Sequence, residues 1–265
     1  MVDEKPITKL NASNLPSRVY DTGRTCPKCG DRIFAFRMRV KDGIKEFEKP
    51  CACRNAEILA EDAAEAVARA DKNRKKRYAW AEVPELFAGA TLNGYRRLPG
   101  TEQAFTAVKD YLLNRQKNFY SGNGLILMGA VGCGKTHLGC AILNCALENG
   151  YSAAYWNVPL QLEMLMPGGA DDIDQSRILG KALSAQVLLM DDLGAEKPSV
   201  WTQKELVIIL DERYRCNKPT IITSNLMLND DELRKTCGDR AYSRLCSDHY
   251  HAVAMTAQDY RRKAK

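Results

Sequence analysis

The stretch Gly129-Ala130-Val131-Gly132-Cys133-Gly134-Lys135-Thr136 constrains this chain more than any other. It fits G-x-x-x-x-G-K-[ST], a loop whose backbone N–H groups curl round phosphate oxygens. Such a loop works between a strand and a helix. Leu125-Ile126-Leu127-Met128 before it is an apolar run of strand length, and His137 to Leu147 after it is apolar at helical spacing. The helix N-terminus adds partial positive charge where phosphates would sit. The pattern predicts an ATP site made by residues 129–136 together with His137. Lys135 is expected to reach the β- and γ-phosphates, and the Thr136 hydroxyl to hold Mg²⁺.

A second run answers the first. Val187-Leu188-Leu189-Met190 is apolar and ends in Asp191-Asp192-Leu193-Gly194, the Walker B pattern. A buried strand of this kind delivers carboxylates to the carboxyl edge of the sheet, where ligands bind in open α/β folds. Asp191 is expected to orient Mg²⁺, largely through water, and Asp192 to polarise the attacking water. Another apolar run, from Thr220, ends at Asn225, whose amide can hydrogen-bond the γ-phosphate or the lytic water. Further strands are predicted over 153–158 and 250–255. Helices are predicted over 101–117, 160–165, 178–183, 204–216, 230–235 and 239–245.

The first 25 residues are polar and carry Pro6, Pro16 and Gly23, which predicts an extended or mobile arm. Then come Cys26-Pro27-Lys28-Cys29 and, later, the tighter pair Cys51-Ala52-Cys53. Between them, alternation over 33–40, the Asp42-Gly43 turn and a return over 44–49 predict a hairpin that carries the second pair back to the first. Four thiolates meet the tetrahedral demand of a structural Zn²⁺, and so small a unit needs a staple. A redox C-x-x-C, or four unrelated buried thiols, are the alternatives. Residues 54–79 read as one helix with a weak apolar stripe. Its end, Arg69 to Arg77, sets six basic residues against Asp71. Such a run is either a solvated face or a contact for nucleic-acid phosphates. Pro84 and Gly89 mark a boundary. The expected organisation is an arm and four-cysteine zinc module over 1–53, a basic connecting helix and linker over 54–89, and an ATPase domain over 90–265.

Composition fits a globular chain, with 45% apolar and 27% charged residues. No apolar run approaches the roughly 20 residues of a membrane span, and Met1 to Pro6 lacks the apolar core of a signal peptide. These features predict a cytoplasmic protein with no membrane contact, in which cysteines, ten in all, point to metal ligation rather than disulfides. A net charge of +6 permits nucleic-acid contact.

In this order the phosphate loop, Asp191-Asp192, Thr223-Ser224-Asn225 and Asp239-Arg240 resemble the AAA+ ATPases. More narrowly they resemble helicase loaders of the DnaC and DnaI type and the related IstB transposition ATPases, over about residues 80–260. The cysteine module running into a basic helix is similar to the N-terminal region of many DnaC-like loaders. The resemblance implies a P-loop three-layer sandwich with a five-stranded parallel sheet and no C-terminal helical lid. It puts Asn225 at the sensor I position. It makes Arg240 the arginine finger that reaches the ATP of a neighbouring subunit, with Arg244, four residues on and so on the same face, as second choice or as partner in that site. An ordinary surface ion pair is the other reading of the two arginines. The segment 158–166 resembles the region that touches single-stranded DNA in this group. Tyr155 and Trp156 could stack bases there or pack in the core. Many AAA+ motors have Glu where Asp192 stands, and the shorter side chain suits a slow, timed switch.

Three functions are compatible with these features. The first is a slow, assembly-dependent ATPase that loads a hexameric replicative helicase. It binds the helicase and single-stranded DNA, self-associates through its AAA+ domains, and is released on hydrolysis. The second is an IstB-like ATPase that regulates transposition on duplex DNA. The third is an adaptor that binds ATP without hydrolysing it.

Overall fold

The computed structural model describes residues 18–259. The start of the expected arm, with Met1 to Pro6 and Pro16, and the basic tail Arg261-Arg262-Lys263 lie outside the described residues. The chain divides into two compact units, one ending at Asn73 and the other beginning at Arg74.

The first unit holds an antiparallel sheet of β1 (Tyr20–Thr25), β2 (Arg32–Val40) and β3 (Gly43–Lys49), in that order. The hairpin forms where Asp42-Gly43 predicts it, and Phe36 faces Phe47 across it. Part of the expected arm is instead strand β1. Tyr20 pairs with Ala35, and the Thr22 hydroxyl donates to the Ile33 carbonyl over 2.7 Å. Asp21, Thr22 and Gly23 give this strand no apolar alternation, so pairing and not local pattern makes it. Helix α1 (Ala52–Ala81) then runs for 30 residues and crosses from one unit into the next. Only Ala81 of α1 is buried, which is the structural counterpart of its weak apolar stripe.

In the second unit α2 (Glu102–Leu113) and α3 (Arg115–Ser121) replace the single helix expected over 101–117. The break falls at Asn114, whose side chain turns back to donate to the Asp110 carbonyl over 2.9 Å. Strand β4 (Gly124–Gly129) and helix α4 (Lys135–Glu148) bracket the phosphate loop. Then follow β5 (Ala153–Asn157), α5 (Val158–Leu165), α6 (Asp172–Ser184), β6 (Val187–Leu193), α7 (Val200–Arg215), β7 (Thr220–Ser224), α8 (Asp231–Cys237), α9 (Asp239–Leu245) and β8 (Tyr250–Met255). Helix α6 starts earlier than its apolar spacing suggests because Asp171 caps it, accepting from the Asp174 N–H. Helix α7 likewise starts at a capping box of Ser199 and Thr202.

The five strands are parallel, in the order β5-β6-β7-β4-β8. This is the three-layer sandwich with a five-stranded parallel sheet that the resemblance implies. Alternate residues of β4 serve the two layers. Leu125 and Leu127 pack with Leu138, Ile142 and Val253, while Ile126 and Met128 pack with Trp156, Leu206 and Ile209. Strand β7 lies between β4 and β6. Its carboxyl end therefore emerges between the phosphate loop and the acidic strand, which places Asn225 between Lys135 and Asp191. Among the described residues no helix follows β8, and none is long and apolar enough to cross a membrane.

One buried cation ties this unit together. The guanidinium of Arg213 is fully buried. It donates to the carbonyls of Ala182, Ala185 and Pro219 over 2.7–2.8 Å and to the Thr220 hydroxyl over 2.9 Å. These acceptors sit where α6 leads into β6 and α7 leads into β7. Burial lowers the Arg213 pKa to about 10.

Candidate ATP and metal sites

The phosphate loop needs glycine for steric reasons. Gly134 precedes α4 at φ +94°, and a Cβ there would lie 2.7 Å from Cε2 of Tyr95. Gly132 has φ +80°, and its Cβ would overlap the Asp259 carboxylate. Tyr95 clamps the loop further by donating to the Cys133 carbonyl over 3.0 Å. Its ring lies 5.5 Å from that of His137, whose Nε2 is 3.1 Å from the Thr91 carbonyl oxygen. Tyr95 carries no motif signal, and only the fold brings it to the loop.

Lys135 is buried at 5% exposure. Its ammonium donates to the carbonyls of Gly129 (2.8 Å) and Ala130 (2.9 Å) and to Oδ1 of Asn225 (2.8 Å). The phosphate-loop lysine and the amide expected to sense the γ-phosphate are thus directly bonded. Asp191 is 2% exposed and accepts from three hydroxyls. Thr136 donates to its Oδ1 over 3.0 Å, Thr223 to the same oxygen over 2.6 Å, and Tyr155 to Oδ2 over 2.8 Å. Thr136 and Asp191 would hold Mg²⁺, and an oxygen-only donor set at this spot suits that ion.

Asp192 owes its position to a backbone irregularity. Its φ is +61°, and the register between β6 and β7 shifts between Met190 and Leu193. Without the shift two successive residues would point to opposite faces. The bulge turns Asp192 out of strict alternation, and its N–H is held by the Thr223 hydroxyl over 2.9 Å. Thr223 therefore fixes both acids, donating to Asp191 and accepting from Asp192.

The structure also locates the aromatic pair and the arginine pair. Trp156 is 1% exposed and belongs to the core, and Tyr155 turns its hydroxyl to Asp191 rather than offering a free stacking face. Burial, then the charge of Asp191, pushes the Tyr155 phenol far above its ordinary pKa, so it stays a donor. Arg240 and Arg244 do not join the Lys135–Asp191 cluster. Both meet Asp211 of α7, Arg244 over 2.5 Å and Arg240 over 3.3 Å. Arg244 also covers the Tyr214 ring at 4.7 Å, while the Arg240 side chain is 78% exposed. In the basic run of α1, Arg74 pairs with Glu148 over 3.0 Å and Arg77 donates to the Leu147 carbonyl over 3.3 Å.

In the first unit the sulfurs of Cys26, Cys29, Cys51 and Cys53 all lie within 4.8 Å of one another. Backbone N–H groups of Cys29 and Lys28 lower the Cys26 thiol to about 6. The neighbouring Cys51 sulfur, above all, pushes Cys53 far up. Four thiols this close cannot all ionise by themselves, whereas a divalent cation would offset the repulsion. The donor set and its spacing fit Zn²⁺.

Fold and site together define a P-loop ATP-binding domain of AAA+ type. Residues 94–265 match the family model described as IstB-like ATP binding protein, and the chain belongs to that family. The chain is 25% identical over 239 residues to the replicative helicase loader DnaC of Buchnera aphidicola subsp. Baizongia pistaciae, covering 86% of this chain and 95% of that one. It is 34% identical over 104 residues to an ATP-binding protein of insertion sequence IS1162 from Pseudomonas fluorescens, covering 39% of this chain and 44% of that one. Among solved structures, the crystal structure of the DnaC helicase loader superposes with a TM-score of 0.55 at 26% identity, covering 65% of this chain and 99% of that one.

Proposed function

We propose that this chain is an ATP-hydrolysing loader of a hexameric replicative helicase, acting in the cytoplasm during DNA replication. The observation that carries this reading is the extent of the likeness to the Buchnera DnaC protein. It covers 86% of this chain, more than the ATPase unit alone can supply, so it reaches into the N-terminal unit as well. In this reading the zinc module (1–53) and connecting helix (54–89) hold the helicase, and the ATPase domain (90–265) responds to nucleotide and single-stranded DNA.

Lys135 and the loop N–H groups would bind the phosphates, and Thr136 and Asp191 would hold Mg²⁺, whose charge would offset that of the phosphates. Asp192 and Asn225 orient the attacking water. The arginine pair of α9 completes the site of a neighbouring subunit, so turnover requires self-association. Arg240→Ala and Arg244→Ala, assayed singly, identify the finger. That variant should retain ATP binding and lose the rise of specific activity with protein concentration. Hydrolysis then releases the loader.

Co-purification with a replicative helicase, with and without ATP, tests the whole. Capture of the helicase that depends on nucleotide supports it. No affinity for any replicative helicase, or none for single-stranded DNA at low salt, refutes it.

A transposition ATPase of IstB type is the second reading. It is favoured by the higher identity, 34%, to the IS1162 protein, although that match covers only 39% of this chain. Preference for duplex over single-stranded DNA, with ATP-dependent filaments on the duplex, would select it.

A further inference from the structure

The two faces of the N-terminal sheet differ in a way that neither the metal nor the ATP site explains. Register puts Tyr20, Ala35, Arg37, Glu46 and Glu48 on one face. This face is laced by ion pairs, Arg37 with Glu46 over 3.2 Å and Arg24 with Glu48. Its charged groups pair with one another, and Ala35 beneath them is fully buried.

The opposite face carries Phe34, Phe36 and Met38 of β2 beside Lys49, Phe47 and Lys45 of β3, with Asp21 of β1 across from Phe34 and paired with Arg32 over 2.8 Å. The rings of Phe36 and Phe47 lie nearly parallel, 23° apart with centroids at 5.8 Å. Phe34, paired with Lys49, is 38% exposed. Lys45 and Lys49 flank the rings and make no ion pair among the described residues. Three aromatic side chains on one face, with two ammonium groups beside them, call for a ligand that is both flat and anionic.

We propose that this face is a platform for single-stranded DNA, separate from the ATPase domain, with bases stacked on Phe34 and the Phe36–Phe47 pair and phosphates met by Lys45 and Lys49. Stacking is indifferent to base identity because every base has a π-face. The two lysines supply the salt-dependent part of the binding. A duplex is excluded because its bases are already stacked on one another. The platform rests on the loader reading only in its choice of DNA as the single strand. It gives the loader a second hold on the strand, at the module the reading places against the helicase.

The test uses the full zinc-loaded chain and a fluorescein-labelled oligo-dT, titrated by anisotropy at several salt concentrations. Phe34→Ala should weaken binding about tenfold, and Phe34→Tyr, which keeps the ring, should restore it. Lys45→Gln with Lys49→Gln should flatten the log–log salt slope by about 1.4, at roughly 0.7 per phosphate contact on a single strand. Zinc content and ATP binding should be unchanged in all three, which shows that the module and the rest of the chain are folded. If the wild type binds oligo-dT and Phe34→Ala binds it equally well, the platform is refuted while the loader reading stands. If Phe34→Ala loses helicase capture and keeps oligo-dT, the face belongs to a protein partner and the proposal is again refuted. If the wild type binds no single strand at all, both fall.

Discussion

The ATP site and the cysteine module are both small clusters of polar side chains, yet they are held in opposite ways. Lys135 and Asp191 are each almost fully buried, and their donors and acceptors are matched by protein groups from β4, β5, β7 and α4. The apolar layers on both sides of the sheet fix those elements first. The four cysteines lie in a unit whose sheet buries a single residue, Ala35. Their nearest polar neighbours include one another. Packing preorganises the ATP site, whereas in the proposed zinc module an ion would hold the thiolates together. Removing one side chain should therefore disable the first without unfolding it and unfold the second altogether.

The largest effect is expected at Lys135. Lys135→Ala should lower steady-state phosphate release by about 10²–10³-fold, as losing one preorganised charge donor does elsewhere, while the thermal unfolding curve of the ATPase unit stays close to that of the wild type. Unchanged release would eliminate hydrolysis at this site and leave the non-hydrolysing adaptor standing. A collapse of the folded state would break the comparison, because the loop would then depend on its lysine for structure.

Cys53→Ser is the matching change in the module. It should release the zinc, measured by atomic absorption, and abolish the protease resistance of residues 18–73. ATP binding by the rest of the chain should persist. Stoichiometric zinc in this variant would rule out a four-cysteine site. Loss of ATP binding would show that the two units do not stand independently.

Arg213 sharpens the contrast from the other side. It acts in the ATPase unit as zinc would in the module, but through carbonyl acceptors. Arg213→Met keeps most of the apolar volume and leaves three buried carbonyls and the Thr220 hydroxyl short of a donor. Each such loss costs about 1–3 kcal/mol. With partial relaxation the expected destabilisation is about 3–5 kcal/mol, read as a fall in melting temperature of roughly 10 °C for a unit of this size. A shift under about 2 °C would mean that water replaces the guanidinium there.

The same difference decides what could be read in the sequence. The phosphate loop, the two acids and Asn225 were legible because each ends an apolar strand, and a parallel sheet collects strand ends at one edge. The cysteine pairs were legible from their spacing around a hairpin turn. Strand β1 was not, since Asp21, Thr22 and Gly23 owe their extended form to pairing with β2 and to no pattern of their own. Tyr95 was missed because it lies 34 residues before the loop's first glycine, and only folding brings it to Cys133. Asp192 was recognised as an acid, but the bulge that aims it is a backbone event without a residue signature. Arg213 looked like one more charge on a helix, and its burial follows from how α6, α7 and β7 meet.

Tyr155 offers the smallest and most discriminating test of the preorganised site. Its hydroxyl holds Oδ2 of Asp191, and Thr136 and Thr223 hold Oδ1, so the carboxylate plane is fixed from both sides. Tyr155→Phe keeps the ring and removes one hydrogen bond to a charged group, worth about 1.5–3 kcal/mol when intact. Part of that is recovered, because the freed oxygen can turn toward water. The expected result is a rise of about threefold to tenfold in the Mg²⁺ concentration for half-maximal ATPase, with ATP affinity in the absence of Mg²⁺ unchanged. A role in packing alone would lower the melting temperature and leave the Mg²⁺ dependence where it was. If Mg²⁺ dependence is unmoved, the orientation of Asp191 is set by the two threonines, and the site is organised from the phosphate loop and β7 without help from β5.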